Sequence, residues 1–309
     1  MRIVFMGTPD IAVPSLEKLV NSEHEVCAVV TQPDRPKGRG KKLAYSPVKE
    51  FAIEKNIEIL QPNKTTETGF MKRMKEINPD LIVVIAFGQI LKKELLELPK
   101  FGCINIHVSL LPKYRGAAPI NWAIINGEKK TGVTIMYMDE GLDTGDIIST
   151  KEFELDNEIN AGQLHDIMMV QGAELLIDTI KDIEAGTNKR IKQDDSLSNY
   201  APLMDKDLGH LDFNKKANDL HNLIRGVVPW PGAWSIYNDQ KMKIWKSSVE
   251  NKNSEQEPGK ILSVDKNGIR ISCKEGILNI SEIQMPNKKR MQVSEYIKGN
   301  KIEVGSSLN

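Results

Sequence analysis

Residues 81–87, Leu-Ile-Val-Val-Ile-Ala-Phe, form an unbroken apolar run with Asp80 before it and Gly88 after it. A run this short and this uniformly apolar does not alternate, so it predicts a strand buried on both faces. Such strands occur in parallel sheets, where crossover connections lay helices over each side. The flanking sequence agrees. Strand-like stretches at 2–6, 25–31, 103–109, 132–138 and 147–155 are separated by helix-like stretches at 14–20, 46–56, 91–98, 118–127 and 161–186. Ser46 followed by Pro47 suits a helix start, and Gly127 and Gly186 suit helix ends. Alternation of this kind predicts an α/β domain with a twisted, mostly parallel sheet.

Beyond Gly186 the pattern changes. Residues 187–202 are polar and without period, and read as a linker. One helix near 215–227 precedes "PWPGAW", and then short strands recur at 241–249, 259–264, 268–273 and 277–283. Short strands spaced by turns over about a hundred residues predict a small barrel or sandwich. The two parts differ in charge. The chain as a whole has 42 basic and 42 acidic residues, but residues 206–309 hold 17 Lys/Arg against 12 Asp/Glu. A net +5 on the smaller part favours a polyanionic partner. The three cysteines, Cys27, Cys103 and Cys273, are scattered and read as reduced core residues. No run is long enough to span a bilayer, and the N-terminus lacks a signal-peptide layout, so a cytoplasmic protein without membrane partners is expected. The first strand leads to Gly7 without G-x-G-x-x-G, which argues against a dinucleotide cofactor.

In an open parallel sheet, ligands bind beyond the carboxyl ends of the strands. Asn105 and His107 lie near such an end, and the two-residue period of a strand turns them to one face. A second loop, "MDEGLDTGDI", brings Asp139, Glu140, Asp143 and Asp146 to the same edge, and the residues alone do not choose among these acids. An amide, an imidazole and a carboxylate together suit acyl transfer to an amine: two donors for a developing oxyanion, and a carboxylate to orient the imidazole or manage protons. His24, His165, His210 and His221 lack metal-ligand spacing, and no metal is expected. Residues 31–49, "TQPDRPKGRGKKLAYSPVK", carry Arg35, Lys37, Arg39, Lys41, Lys42 and Lys49 against Asp34 alone. Glycines and prolines predict an irregular loop, which follows a strand end and reaches the same edge. A cationic loop there suits a phosphate-rich substrate.

The segment "NIHVSLLPKYRGAAPINWAIINGEKKTGVTIMYMDEGLDTGDII" resembles the signature region of the methionyl-tRNA formyltransferase family. "RIVFMGTPDIAVPSLEKL", the basic loop, "GCINIH" and "VVPWPGAW" resemble the same family, in the same order, over nearly the whole chain. The resemblance implies a Rossmann-like catalytic domain (1–189), a linker (190–205) and an OB-like barrel that binds tRNA (206–309). It implies 10-formyltetrahydrofolate as formyl donor and the α-amine of initiator methionyl-tRNA as acceptor. It makes Asn105, His107 and Asp143 the catalytic set. It has Ser109, Leu110, Leu111 and Pro112 contact folate, and has Ile85, Ala86, Phe87 and Gly88 line the pterin pocket. Arg35, Lys37, Arg39, Lys41 and Lys42 become tRNA contacts, with the loop around Arg39 entering the acceptor stem. A monomer that binds no DNA is expected. The chain departs from the family in "YAPLMDKDLGHLDF". Leu203 or Met204, His210 and Phe213 stand there where lysine, arginine and tryptophan are common, and Lys206 supplies a cation.

Overall fold

The computed structural model describes residues 1–37 and 42–309. The strands are β1 (Arg2–Gly7), β2 (Glu25–Val30), β3 (Arg35–Lys37), β4 (Lys42–Ala44), β5 (Ile59–Leu60), β6 (Leu81–Ile85), β7 (Cys103–His107), β8 (Arg115–Gly116), β9 (Lys130–Tyr137), β10 (Ile147–Glu154), β11 (Tyr200–Ala201), β12 (Ala233–Tyr237), β13 (Gln240–Glu250), β14 (Ile261–Asp265), β15 (Gly268–Ser272), β16 (Ile277–Gln284) and β17 (Met291–Gln292). The helices are α1 (Val13–Val20), α2 (Pro47–Glu54), α3 (Thr68–Ile77), α4 (Lys93–Leu96), α5 (Pro119–Ile125), α6 (Ala161–Ala185), α7 (Ala217–Gly226) and α8 (Val293–Tyr296). They form two compact units. The first comprises Met1–Ala117, Lys130–Phe153 and His165–Ala201; the second comprises Ala118–Lys129, Glu154–Leu164 and Pro202–Asn309.

The first unit is built on a seven-stranded sheet of order β10-β9-β7-β6-β1-β2-β5. The apolar run becomes β6, the central strand, and all five of its residues are buried. The pairings from β5 to β7 are parallel, and β7 pairs antiparallel with β9. Val4, Met6, Ile82 and Val84 on one face pack with Phe70, Met71, Met74 and Ile77 of α3 and Leu95 of α4. On the other face Ile106 and Val133 lie against Gly172 of α6. Both faces are therefore covered, which is why the strands read as continuous apolar runs. Ser46 caps α2 by accepting the Lys49 N–H at 3.1 Å, as the sequence predicts. The predicted helix at 91–98 shrinks to the single turn of α4. α3, not among the predicted helices, is marked in the sequence only by Phe70, Met71, Met74 and Ile77 at a helical spacing. Cys103 and Cys273 are free and buried, and burial pushes their thiols up to about 12 and about 11.

Two expectations need correction. The basic segment is not wholly irregular: β3 and β4 pair as a hairpin, with Arg35 opposite Ala44 and Lys37 opposite Lys42. Residues 187–202 are not a free connection either. Ile191 exchanges backbone hydrogen bonds with Ile147, Gln193 is buried, and β11 pairs in parallel with β8. Backbone and amide hydrogen bonds, rather than an apolar face, fix this segment, so it carries no periodicity.

The second unit contains an antiparallel sheet of order β12-β13-β16-β15-β14, with β17 on β16. Residues 305–309 run between its two edges. Gly305 and Ser306 exchange hydrogen bonds with Ile261, while Asn309 exchanges two with Ile236. The tail thus closes the sheet into a barrel and leaves neither edge bare there. Its core includes Ile244, Ile271, Leu278 and Ile280 with Leu220 and Ile224 of α7 and Ala118 just before α5. Arg225 is buried in this unit, donating to the carbonyls of Asp156 and Ile159, each at 3.1 Å, and to Asn222.

Candidate active site

The strand order reverses between β1 and β6, and an open parallel sheet leaves its ligand crevice at such a reversal. A cavity of about 650 Å³ lies there. It is lined by residues following β1 (Thr8, Pro9, Asp10), β2 (Gln32, Pro33) and β6 (Ala86, Phe87, Gly88), together with Arg35 and Tyr45 of the basic segment. Thr8 and Gln32 both donate to the Phe87 carbonyl, tying the three strand ends together. Ala86 and Gly88 are exposed with positive φ, at 47° and 82°. Phe87 lines the cavity with its side chain buried, and Ile85, also buried, is the one of the four expected pocket residues that does not line it.

One strand over, β7 carries Asn105 and His107, at 9% and 6% exposure. They share a face with Cys103, as strand alternation requires. Asn105 makes no side-chain hydrogen bond among the described residues. His107 Nε2 lies 2.9 Å from the carbonyl oxygen of Tyr114. A carbonyl only accepts, so Nε2 carries a proton and the nitrogen left over is Nδ1. Nδ1 faces Asp143 Oδ2 at 3.7 Å, too long for a hydrogen bond but close enough for charge attraction. The same carboxylate oxygen accepts the Gly116 N–H at 2.8 Å.

The four acids of the 138–147 loop now separate. Asp139 builds the turn, accepting from Gly141 N–H at 2.9 Å and Thr144 Oγ1 at 2.6 Å. Asp146 meets Arg190 at 3.4 Å, and Glu140 is exposed. Only Asp143 is turned toward His107 among the described residues. Its φ is +54°, a left-handed conformation uncommon outside glycine. Gly145 lets the loop fold back: a Cβ there would collide with the Tyr137 carbonyl.

Ser109 is fully buried, and its hydroxyl donates to the Lys113 carbonyl at 2.7 Å, so it shapes the turn. Leu111 is buried, its N–H donating to Thr134, while Leu110 and Pro112 are half-buried. In the basic segment Arg35 is exposed. Lys49 is spent on Asp34, at 2.6 Å, and on Gln61, and its ammonium holds the Asp34 carboxyl below the usual range. Arg39 and Lys41 lie outside the described residues, and of Lys37 and Lys42 only the backbone pairing is described. Glu23, His24 and Glu184 bring ligand atoms within 4.8 Å of one another, a grouping that sequence spacing did not reveal; two of the three are exposed.

Residues 193–201, a linker by sequence, contribute to this cluster. The Gln193 amide donates to the carbonyls of Asp143 and Gly145 and accepts from Arg115. The Asn199 side chain accepts from Tyr114 N–H, and its carbonyl accepts from Arg115 N–H. No periodic signal marks these residues; isolated amides in a polar stretch are the only trace.

Residues 1–180 match the family model described as formyl transferase, and residues 203–301 match the model of the formyl transferase C-terminal domain. A methionyl-tRNA formyltransferase of Clostridioides difficile is 61% identical over 308 residues, with 100% of each chain covered. One of Clostridium novyi is 56% identical over 309 residues, again with 100% of each covered. The crystal structure of a sugar 3N-formyl transferase in the presence of dTDP and 5-N-formyl-THF superposes with a TM-score of 0.69 at 28% identity, covering 94% of this chain and 99% of that one.

Proposed function

Because the chain belongs to the formyl transferase family, we propose that it moves the formyl group of 10-formyltetrahydrofolate onto the α-amine of initiator methionyl-tRNA. The observation that carries this reading is full-length identity of 61% and 56% to methionyl-tRNA formyltransferases, joined to an Asn105–His107–Asp143 cluster suited to acyl transfer.

In this reading the neutral amine attacks the formyl carbon. A new C–N bond forms, the bond from that carbon to folate N10 breaks, and one proton passes from the amine to N10. The Asn105 amide, without a side-chain partner among the described residues, donates to the oxyanion that develops. His107 keeps its Nε2 proton on the Tyr114 carbonyl and works through Nδ1, either donating to the oxyanion as imidazolium or holding the travelling proton. Asp143 stabilises that charged imidazole from 3.7 Å. Ala86 and Gly88, with Leu110–Pro112 supported by Ser109, hold the folate. The fit rests on exposed backbone at Ala86 and Gly88, where a flat ring system can approach closely.

The acceptor's 3′ end enters over the β3–β4 hairpin. Arg35, Lys37, Arg39, Lys41 and Lys42 meet its phosphates, with Arg39, between Gly38 and Gly40, closest to the bases. The chemistry lies within 1–189, apart from 118–129 and 154–164, which belong to the second unit; 190–205 connects while its Gln193 braces the Asp143 loop, and 206–309 adds tRNA affinity through its net +5. In this reading the protein works as a monomer in the cytoplasm, where a translation enzyme meets its tRNA.

The same cluster also suits formyl transfer to an amino sugar or to water. Labelled formyl donor offered with methionyl-tRNA, with a nucleotide-linked amino sugar, or with buffer alone separates them. Label on methionyl-tRNA is the expected result, and label found only on the sugar or released as formate overturns the reading.

A further inference from the structure

We propose that Gln193 is a positioning residue for formyl transfer: its side-chain amide fixes the Asp143 loop so that the carboxylate stays opposite His107. The inference rests on the assignment of Asp143 as the catalytic carboxylate.

The amide is 6% exposed and every bonding position on it is used. Nε2 donates to the Asp143 carbonyl at 2.9 Å and to the Gly145 carbonyl at 2.8 Å. Oε1 accepts from Arg115 Nε at 3.1 Å and Nη2 at 2.7 Å. The partners dictate its orientation, since two carbonyls cannot donate and a guanidinium cannot accept.

These bonds close a ring around the carboxylate. Gln193 holds the backbone of Asp143. The side chain of Asp143 is held by Gly116 N–H at 2.8 Å. Gly116 is bonded in sequence to Arg115, and Arg115 returns to Gln193. Both ends of Asp143 are thereby referred to one buried amide. The residue needs this, because its φ of +54° is a conformation that persists only where the surroundings impose it. Asn199 braces the same ring from outside, accepting from Tyr114 N–H and Arg115 N–H. Tyr114 in turn presents the carbonyl that holds His107. A segment without periodicity, far along the chain from β7, therefore sets the relation between imidazole and carboxylate.

A filler of space and a positioning residue respond differently to substitution. Formylation kinetics of Gln193→Met, Gln193→Glu, Asp143→Asn and the Gln193→Met/Asp143→Asn double variant, with melting temperatures, distinguish them. Gln193→Met should lower kcat by about 10²-fold, the scale of an ångström-sized misplacement, with KM for donor and methionyl-tRNA within about twofold. Gln193→Glu keeps the shape and the Arg115 contact but offers no hydrogens to the two carbonyls. It should be as slow as Gln193→Met near pH 8, and its deficit relative to wild type should narrow on acidification, when a protonated carboxyl regains one donor. In the Asp143→Asn background, Gln193→Met should cost less than about threefold, because coupled positions are non-additive.

A wild-type rate for Gln193→Glu, a loss confined to KM, or losses that multiply in the double variant would each overturn the inference. If Asp143→Asn is slow while Gln193→Met is not, the positioning role fails alone. If Asp143→Asn transfers at the wild-type rate, the assignment of the carboxylate fails, and the positioning role with it.

Discussion

His107 and Asp143 stand 3.7 Å apart, Nδ1 to Oδ2, and neither spends a hydrogen bond on the other. Each is instead bonded to the same short turn: His107 through Nε2 to the Tyr114 carbonyl, Asp143 through Oδ2 to the Gly116 N–H. The turn sets their separation and leaves Nδ1 available.

Substitutions at the cluster should act on rate, with folding preserved. Asn105→Ala and His107→Ala are each expected to lose about 10²–10³ in kcat, the usual cost of an oxyanion donor. Asp143→Asn keeps the shape without the charge and should be comparably slow. Asp139→Asn and Asp146→Asn should be milder, since Asp139 builds the turn and Asp146 meets Arg190. Single-turnover formylation of all five variants tests the ranking, and an Asp146→Asn slower than Asp143→Asn would mean the wrong carboxylate has been chosen.

The cations of the basic segment should prove unequal. Arg35 is exposed beside the cavity, whereas Lys49 is neutralised by Asp34 at 2.6 Å. Arg35→Ala should flatten the log–log salt dependence of tRNA binding by about 0.7–0.9, one phosphate contact's worth. Lys49→Gln should leave the slope unchanged. Arg39→Ala should slow formylation and blunt discrimination between initiator and elongator methionyl-tRNA. Binding across a salt series, with kinetics on both tRNAs, is the measurement.

His221 gives the second unit a pH dependence. Its Nε2–H donates to the Asn157 carbonyl at 3.1 Å, and Nδ1 lies 3.0 Å from Ser247 Oγ. Burial, first among the causes, holds its pKa below the ordinary 6.5. The unfolded chain then binds more protons than the folded one, so stability rises with pH in that window. The melting temperature should accordingly fall as pH drops through about 6.5 toward the lowered folded value. In His221→Gln this part of the fall should vanish; if the wild type and the variant titrate alike, the dependence lies elsewhere.

Arg225→Ala should destabilise the second unit by about 2–4 kcal/mol. Arg225 is 5% exposed, and its guanidinium satisfies the carbonyls of Asp156 and Ile159, so the variant would remove those bonds together with the packing of a buried side chain. Denaturant titration measures it, and a loss below about 1 kcal/mol would mean that water replaces the side chain.

What the sequence determined by itself was whatever repeats locally. The apolar run at 81–87 predicted a doubly covered strand, and its first five residues are the central one, while Ala86 turns out to solvent. The two-residue period put Asn105 and His107 on one face, and the order of strands placed their end at a ligand-binding edge. Tertiary structure decided what depends on partners distant in the chain. Four acids in one loop have equal claims by composition, and only folding turns Asp143 toward His107 while engaging Asp139 and Asp146 elsewhere. Six basic residues look alike in a string, but folding ties Lys49 to Asp34 and Gln61. Gln193 was least legible of all. Helix and strand periods report burial of apolar faces, while a buried amide that holds two carbonyls and a guanidinium leaves no period in the sequence.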